Sequence, residues 1–202
     1  MKSFTRWLLV TTLLVATALT TTLALTAAPA EAGNIILRAA GSEDPAANAA
    51  VRTVNSGTNH RYITVNYPTG ATETCTLYHF GLFTDYTPDA DITGQMWWMT
   101  SGTSTTAVQL RMDIQCVTPT GAGENYDTVG WQTGTAFTWT PINEAGKITA
   151  VTIPSNAMNE AATGGAGCSA STPVMMRICR TANDGGSPNG STAQLIMTRL
   201  TY

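Results

Sequence analysis

Along most of the chain, apolar and β-branched residues alternate with polar ones at a period of two, the spacing of a strand with one face in a core. The pattern runs through 34–40, 60–66, 72–83, 95–100, 107–118, 128–140, 147–153, 173–180 and 192–202. Between these stretches sit Gly, Pro, Asn, Asp, Ser and Thr, which make turns by freeing or fixing φ. Helical periodicity is almost absent; only 154–161 predicts a short helical turn, with Ser155 or Asn156 as its cap. About nine short strands cannot each bury an apolar face alone, so the pattern predicts an all-β domain. The expected form is a two-sheet antiparallel β-sandwich of jelly-roll type.

The first residues follow another rule. Lys2 and Arg6 precede an apolar run from Trp7 to Val15, which continues in small and Thr residues to Leu25, and Ala30-Glu31-Ala32 supplies a small-x-small cleavage pattern. Residues 1–32 are therefore expected to be a cleaved signal peptide, and 33–202 a single mature domain. A retained anchor fits less well, because Thr at 11, 12, 17, 20, 21 and 22 dilutes the run and no second long apolar stretch follows. No transmembrane segment is expected after cleavage, and the destination is secreted, periplasmic or cell-surface.

Charge narrows the partners. The 170 residues after the leader hold eight Arg or Lys against twelve Asp or Glu, a formal net charge of −4. Nucleic acid is disfavoured, since phosphate contacts need concentrated positive charge, and anionic membranes are disfavoured for the same reason. Four cysteines, Cys75, Cys116, Cys168 and Cys179, all fall in the mature part, and an even number in an exported chain points to two disulfides. Three connectivities are open. Parity turns Cys116 toward the core with Val108, Leu110, Met112 and Ile114, and turns Cys179 away from the face of Val174, Met176 and Ile178. The pairing favoured on that basis is Cys168 with Cys179 and Cys75 with Cys116. With no C-x-x-C and no His pair, zinc is not expected.

Candidate chemistry is sparse. His60 and His79 lie inside strand patterns without a recognisable nucleophile or acid, and G-x-S-x-G and H-E-x-x-H are absent, so no catalytic residue is assigned. Asp85, Asp89 and Asp91 form the densest carboxylate cluster, a candidate calcium site because Ca²⁺ takes hard oxygen ligands from loops. Adjacent Trp97 and Trp98 must point to opposite faces of a strand, so one can be core while the other stacks on a sugar ring. Trp131, Phe137 and Trp139 add rings, the last two sharing a face, though aromatics also fill sandwich interiors.

The C-terminal block runs Met175-Met176-Arg177-Ile178-Cys179-Arg180, then the polar loop 183–190, then 193–202 ending on Tyr202. Upstream lie Gln95-Met96-Trp97-Trp98-Met99-Thr100, Val108 to Val117, and Asp127-Thr128-Val129-Gly130-Trp131. Over roughly 95–202 this order of motifs resembles a jelly-roll domain of tailed-phage and prophage structural proteins. The resemblance implies a jelly roll and, by analogy, a structural or adhesive role. The four cysteines and the export signal depart from that family and favour an extracellular or envelope setting.

The function expected is thus a non-catalytic structural, assembly or adhesion subunit, partnering itself or other envelope proteins. Segment 33–54 is a candidate strand for completing a neighbour's sheet. A carbohydrate-binding module using exposed Trp is the alternative. A small outer-membrane β-barrel is the third reading, since Leu200 and Tyr202 share a face at the C-terminus, although few segments reach the ten or so alternating residues that cross a bilayer.

Overall fold

A computed structural model describes residues 33–82, 84–88, 90–117, 130–158, 168–186 and 189–202. The expected leader, 1–32, lies outside them. The described residues form ten strands: β1 Asn34–Arg38, β2 Val51–Ser56, β3 Arg61–Tyr67, β4 Thr74–Gly81, β5 Thr93–Thr100, β6 Val108–Cys116, β7 Phe137–Trp139, β8 Thr149–Ile153, β9 Pro173–Arg180 and β10 Ala193–Thr201. One sheet has the order β2-β3-β10-β5-β8, with β1 lying beside β10 beyond the end of β3; the other has the order β4-β9-β6-β7. Every strand pairing is antiparallel.

Setting aside β1 and β2, the remaining eight strands read 1-8-3-6 in one sheet and 2-7-4-5 in the other. That order is a jelly roll, two Greek keys folded into a sandwich. The sheets stay separate and their inner faces are filled by side chains, so the barrel reading is set aside; among the described residues no strand exceeds nine residues.

Alternation builds the core. In β6, Val108, Leu110, Met112, Ile114 and Cys116 are buried against the facing sheet, while Gln109, Arg111, Asp113 and Gln115 occupy the other face. β9 contributes Val174, Met176 and Ile178, β5 contributes Met96 and Trp98, and β10 contributes Leu195 and Leu200. Each large aliphatic side chain so buried stabilises the fold by about 1.5–3 kcal/mol. A register shift between Leu195 and Met197 accommodates one extra residue, Ile196, and keeps Leu200 on the core side.

Segment 33–54 pairs within its own chain, except along the outer edge of β2, which has no strand beside it among the described residues. β1 joins β10, β2 joins β3, and the stretch between them crosses to the second sheet. There it lines the edge of β4, where Glu43 and Leu77 exchange two backbone hydrogen bonds of 2.9 Å and Ala50 N donates to Cys75 O at 2.7 Å. An otherwise open sheet edge is thereby covered.

The disulfides are Cys75–Cys179 and Cys116–Cys168, not the pairing expected from sequence. Parity placed Cys116 inward and Cys179 outward, but a bond needs partners on one face. Cys75 sits directly opposite Cys179 in the β4–β9 ladder, their Cα atoms 4.1 Å apart, whereas Cys116 and Cys168 are both in the core. Of the expected helical turn, 155–158 form a turn closed by Ala157 N donating to Pro154 O at 3.0 Å; the rest lies outside the described residues.

Candidate functional site

The outer face of the six-stranded sheet is built by the positions that alternate away from the core. Trp98 is fully buried, stacked on Trp139 at 5.8 Å and tilted against Tyr67 at 5.2 Å, so it is a core residue and cannot meet a ligand. Its neighbour Trp97 is half-buried on the opposite face. Register sets Trp97 beside Met197 and Met197 beside Arg38, and in the next row Gln95 beside Arg199 and Arg199 beside Ile36. Arg199 donates from Nη2 to Gln95 Oε1 at 3.1 Å, and its guanidinium lies 5.9 Å from the Trp97 ring centroid.

Gly94 lets β5 and β10 approach at this point. Its φ of +148° suits glycine, and a Cβ there would stand 1.9 Å from Arg199 O.

A polar array continues the face toward β2. Asn55 Nδ2 donates to Thr64 Oγ1 at 2.8 Å, Thr64 Oγ1 to Asn66 Oδ1 at 2.8 Å, Asn66 Nδ2 to Thr53 Oγ1 at 2.9 Å, and Gln194 Nε2 to Asn66 Oδ1 at 3.1 Å. Each amide is held in one orientation by its neighbours. A ring with a guanidinium beside it and, further along the same face, an array of fixed amides offer stacking and directed hydrogen bonds on one surface.

The outer face of the second sheet differs. Asp113 is fully buried between Arg111, at 2.8 and 3.0 Å, and Arg177, at 2.6 Å, and it also accepts Gly134 N at 3.0 Å. Its hydrogen bond holds the Arg111 guanidinium above its ordinary pKa. Glu73 adds a 3.0 Å bridge to Arg111, and Arg177 lies 4.8 Å over Trp131. The charges cancel within this cluster, which pins segment 130–134 along β6.

The remaining expected positions fall elsewhere. Asp85 and Asp91 are exposed at the two ends of a turn in which buried Tyr86 donates its hydroxyl to Ala90 O at 2.6 Å; Asp89 lies outside the described residues. His79 pairs with Glu43 at 3.2 Å, joining β4 to the segment on its edge, and His60 packs 5.9 Å from the Tyr62 ring. Cys75, Cys179 and Glu73 cluster closely, but both sulfurs are consumed by the disulfide.

Sequence reading singled out Trp97 but missed Arg199, Gln95 and Arg38. The same alternation that turns Trp97 outward turns Gln95 outward two residues away, and the closing strand does the same for Arg199. What it lacked was the pairing of β10 with both β1 and β5.

No family model matches the sequence, and no curated protein sequence matches it. Solved structures of similar shape include the CBM36-1 domain of a multidomain xylanase from the hindgut metagenome of Trinervitermes trinervoides, at 8% identity and TM-score 0.42, covering 84% of this chain and 97% of that one. Another is the family 11 carbohydrate-binding module from Clostridium thermocellum, in complex with a β-1,3-1,4-mixed-linked tetrasaccharide, at 12% identity and TM-score 0.42, covering 87% and 91%. A chain of infectious bursal disease virus, Gx strain, matches at 10% identity and TM-score 0.34, covering 85% of this chain and 32% of that one. The likeness is one of fold, and the jelly-roll assignment stands on the strand order itself.

Proposed function

We propose that this domain is a non-catalytic glycan-binding module whose binding face is the outer surface of the six-stranded sheet around Trp97. The observation that carries the reading is the half-buried Trp97 ring beside Arg199, with Gln95 next to it and the fixed amides of Gln194 and Asn66 further along the same face. Rigid rings give contact area at little entropic cost, and the amides give direction. Two disulfides support an oxidising setting, at the cell surface or beyond it.

Native affinity electrophoresis of the oxidised protein through gels containing neutral and acidic polysaccharides tests the reading. Retention by at least one glycan is expected, with Trp97→Ala weakening it about tenfold, the loss expected of one stacked ring. Free migration through every gel would overturn it.

One observation favours a second reading, a structural subunit that assembles through a sheet edge. β2 is an edge strand, and Val51 and Val54 on it are 59% and 63% exposed. Light scattering over a concentration series separates the readings: mass that grows with concentration favours assembly, and a constant monomer mass removes it.

A further inference from the structure

The six strands of the first sheet contain four arginines and no Asp, Glu or Lys, in a chain with thirteen acidic and ten basic residues. Arg52 and Arg61 fall on the opposite parity to Trp97's face, and Arg52 reaches Ser42 O at 3.1 Å. Arg38 and Arg199 are exposed on that face. They are diagonal neighbours across β1 and β10, since Ile36 is opposite Arg199 and Arg38 is opposite Met197, a separation of about 7–8 Å at the backbone.

The contrast with the second sheet is informative. There, Arg111 and Arg177 share Asp113, and Arg180 is paired with Asp184. Among the described residues, neither Arg38 nor Arg199 has a carboxylate partner, and Arg199 rests on a neutral amide oxygen. Two like charges held close without a counter-charge repel, and an anion placed between them relieves that cost. A carboxylate also outcompetes an amide for a guanidinium, because the fork makes two parallel charge-assisted bonds with it.

We infer that the ligand of this face is an acidic polysaccharide bearing carboxylates, a polyuronate, with Arg199 and Arg38 as its anion-reading residues and Trp97 as the stacking platform. The inference rests on the glycan-binding reading above. Arg199 moves from Gln95 to a uronate carboxylate, and its departure clears the Trp97 ring for the sugar. The domain's net charge of −4 repels polyanions elsewhere, which confines binding to this face.

The test is affinity electrophoresis on polygalacturonate and alginate, on a sulfated dextran and on neutral xylan and mixed-linkage glucan, at low and at high salt. Retention by a polyuronate is expected to weaken about tenfold in Arg199→Gln, to weaken in Arg38→Gln, to be partly kept in Arg199→Lys, and to fall as salt rises. Arg61→Gln, on the other face, is expected to bind unchanged. Retention by neutral glycans that is lost in Trp97→Ala but indifferent to both arginines and to salt would overturn this inference while leaving the glycan-binding reading standing. Equal retention by the sulfated polymer would overturn carboxylate recognition, and no retention at all would remove both. Thermal melting of each variant confirms that the fold is kept.

Discussion

Tyr67 and Tyr78 bring two phenols into the space between the sheets, and among the described residues neither hydroxyl has a hydrogen-bond partner. Burying an unpaired hydroxyl costs about 1–3 kcal/mol, a loss offset by the apolar area of the ring. Desolvation pushes both pKa values above the ordinary 10.0, and the nearby Tyr78 adds to the shift at Tyr67. A folded pKa raised above the unfolded one gives stability that is complete below pH 10 and lost as pH rises beyond it, because the unfolded phenol ionises first. Tyr78→Phe keeps the ring and drops the hydroxyl. It is expected to raise stability by about 1 kcal/mol in denaturant melts near neutral pH and to flatten the alkaline decline; a destabilised variant would show that the hydroxyl is satisfied. At this scale alternation was a sound guide: it divided Trp97 from Trp98 and turned Cys116 inward. It could not say which tryptophan faced out, because that depends on Trp139 and Tyr67, which meet Trp98 only after folding.

The connection from β9 to β10 is held by a buried charge. Arg180 donates to both oxygens of Asp184, at 2.9 and 2.6 Å, and to the backbone oxygens of Tyr67, Asn189 and Ser191 at 2.7–3.1 Å. Asp184 stands at a left-handed φ of 47° and also accepts Asn189 N at 2.7 Å and Gln109 N at 3.2 Å. Asp184→Asn leaves the buried guanidinium uncompensated and is expected to cost about 3–5 kcal/mol, read as a lower midpoint in urea with an unchanged slope. A loss below about 1 kcal/mol would show that solvent reaches the arginine. The block of Arg-rich strand, Asp-bearing loop and closing strand was visible in the sequence, but not the convergence of Tyr67 and Ser191 on one side chain. The strand inventory shows the same limit. β2, Val-Arg-Thr-Val-Asn-Ser, was missed because an exposed edge strand needs no apolar face. Of the stretch expected to be strand through 128–140, the described part, 130–140, keeps regular pairing only at Phe137–Trp139. Gly134 is wedged where a Cβ would stand 2.0 Å from both Met112 O and Ala157 O, and the ladder breaks around it.

For the whole molecule, two layers, antiparallel pairing and the jelly-roll class were legible from period and turn chemistry, while anything set by strand neighbours was not. Cysteine pairing belongs to the second kind, since Cys75 and Cys179 are 104 residues apart and adjacent only because β4 lies beside β9. Closing loops of 104 and 52 residues removes about 4–5 kcal/mol each of unfolded-chain entropy in the loop-closure account. The N-terminal strand has a mechanical corollary. Gly33 and Tyr202 are neighbours, with Tyr202 N donating to Gly33 O at 3.3 Å and Asn34 opposite Thr201, so tension applied between them loads β1 and β10 as a zipper. Their hydrogen bonds open in succession from the loaded end instead of shearing together, and the two strands yield at low force. Extension then halts at Cys75–Cys179, which shields every residue between those positions from the load. Single-molecule pulling should give a short contour gain that lengthens on reduction, and equal lengths in both states would show that the bond carries no load; oxidised, the domain is a tether with a soft start and a hard stop.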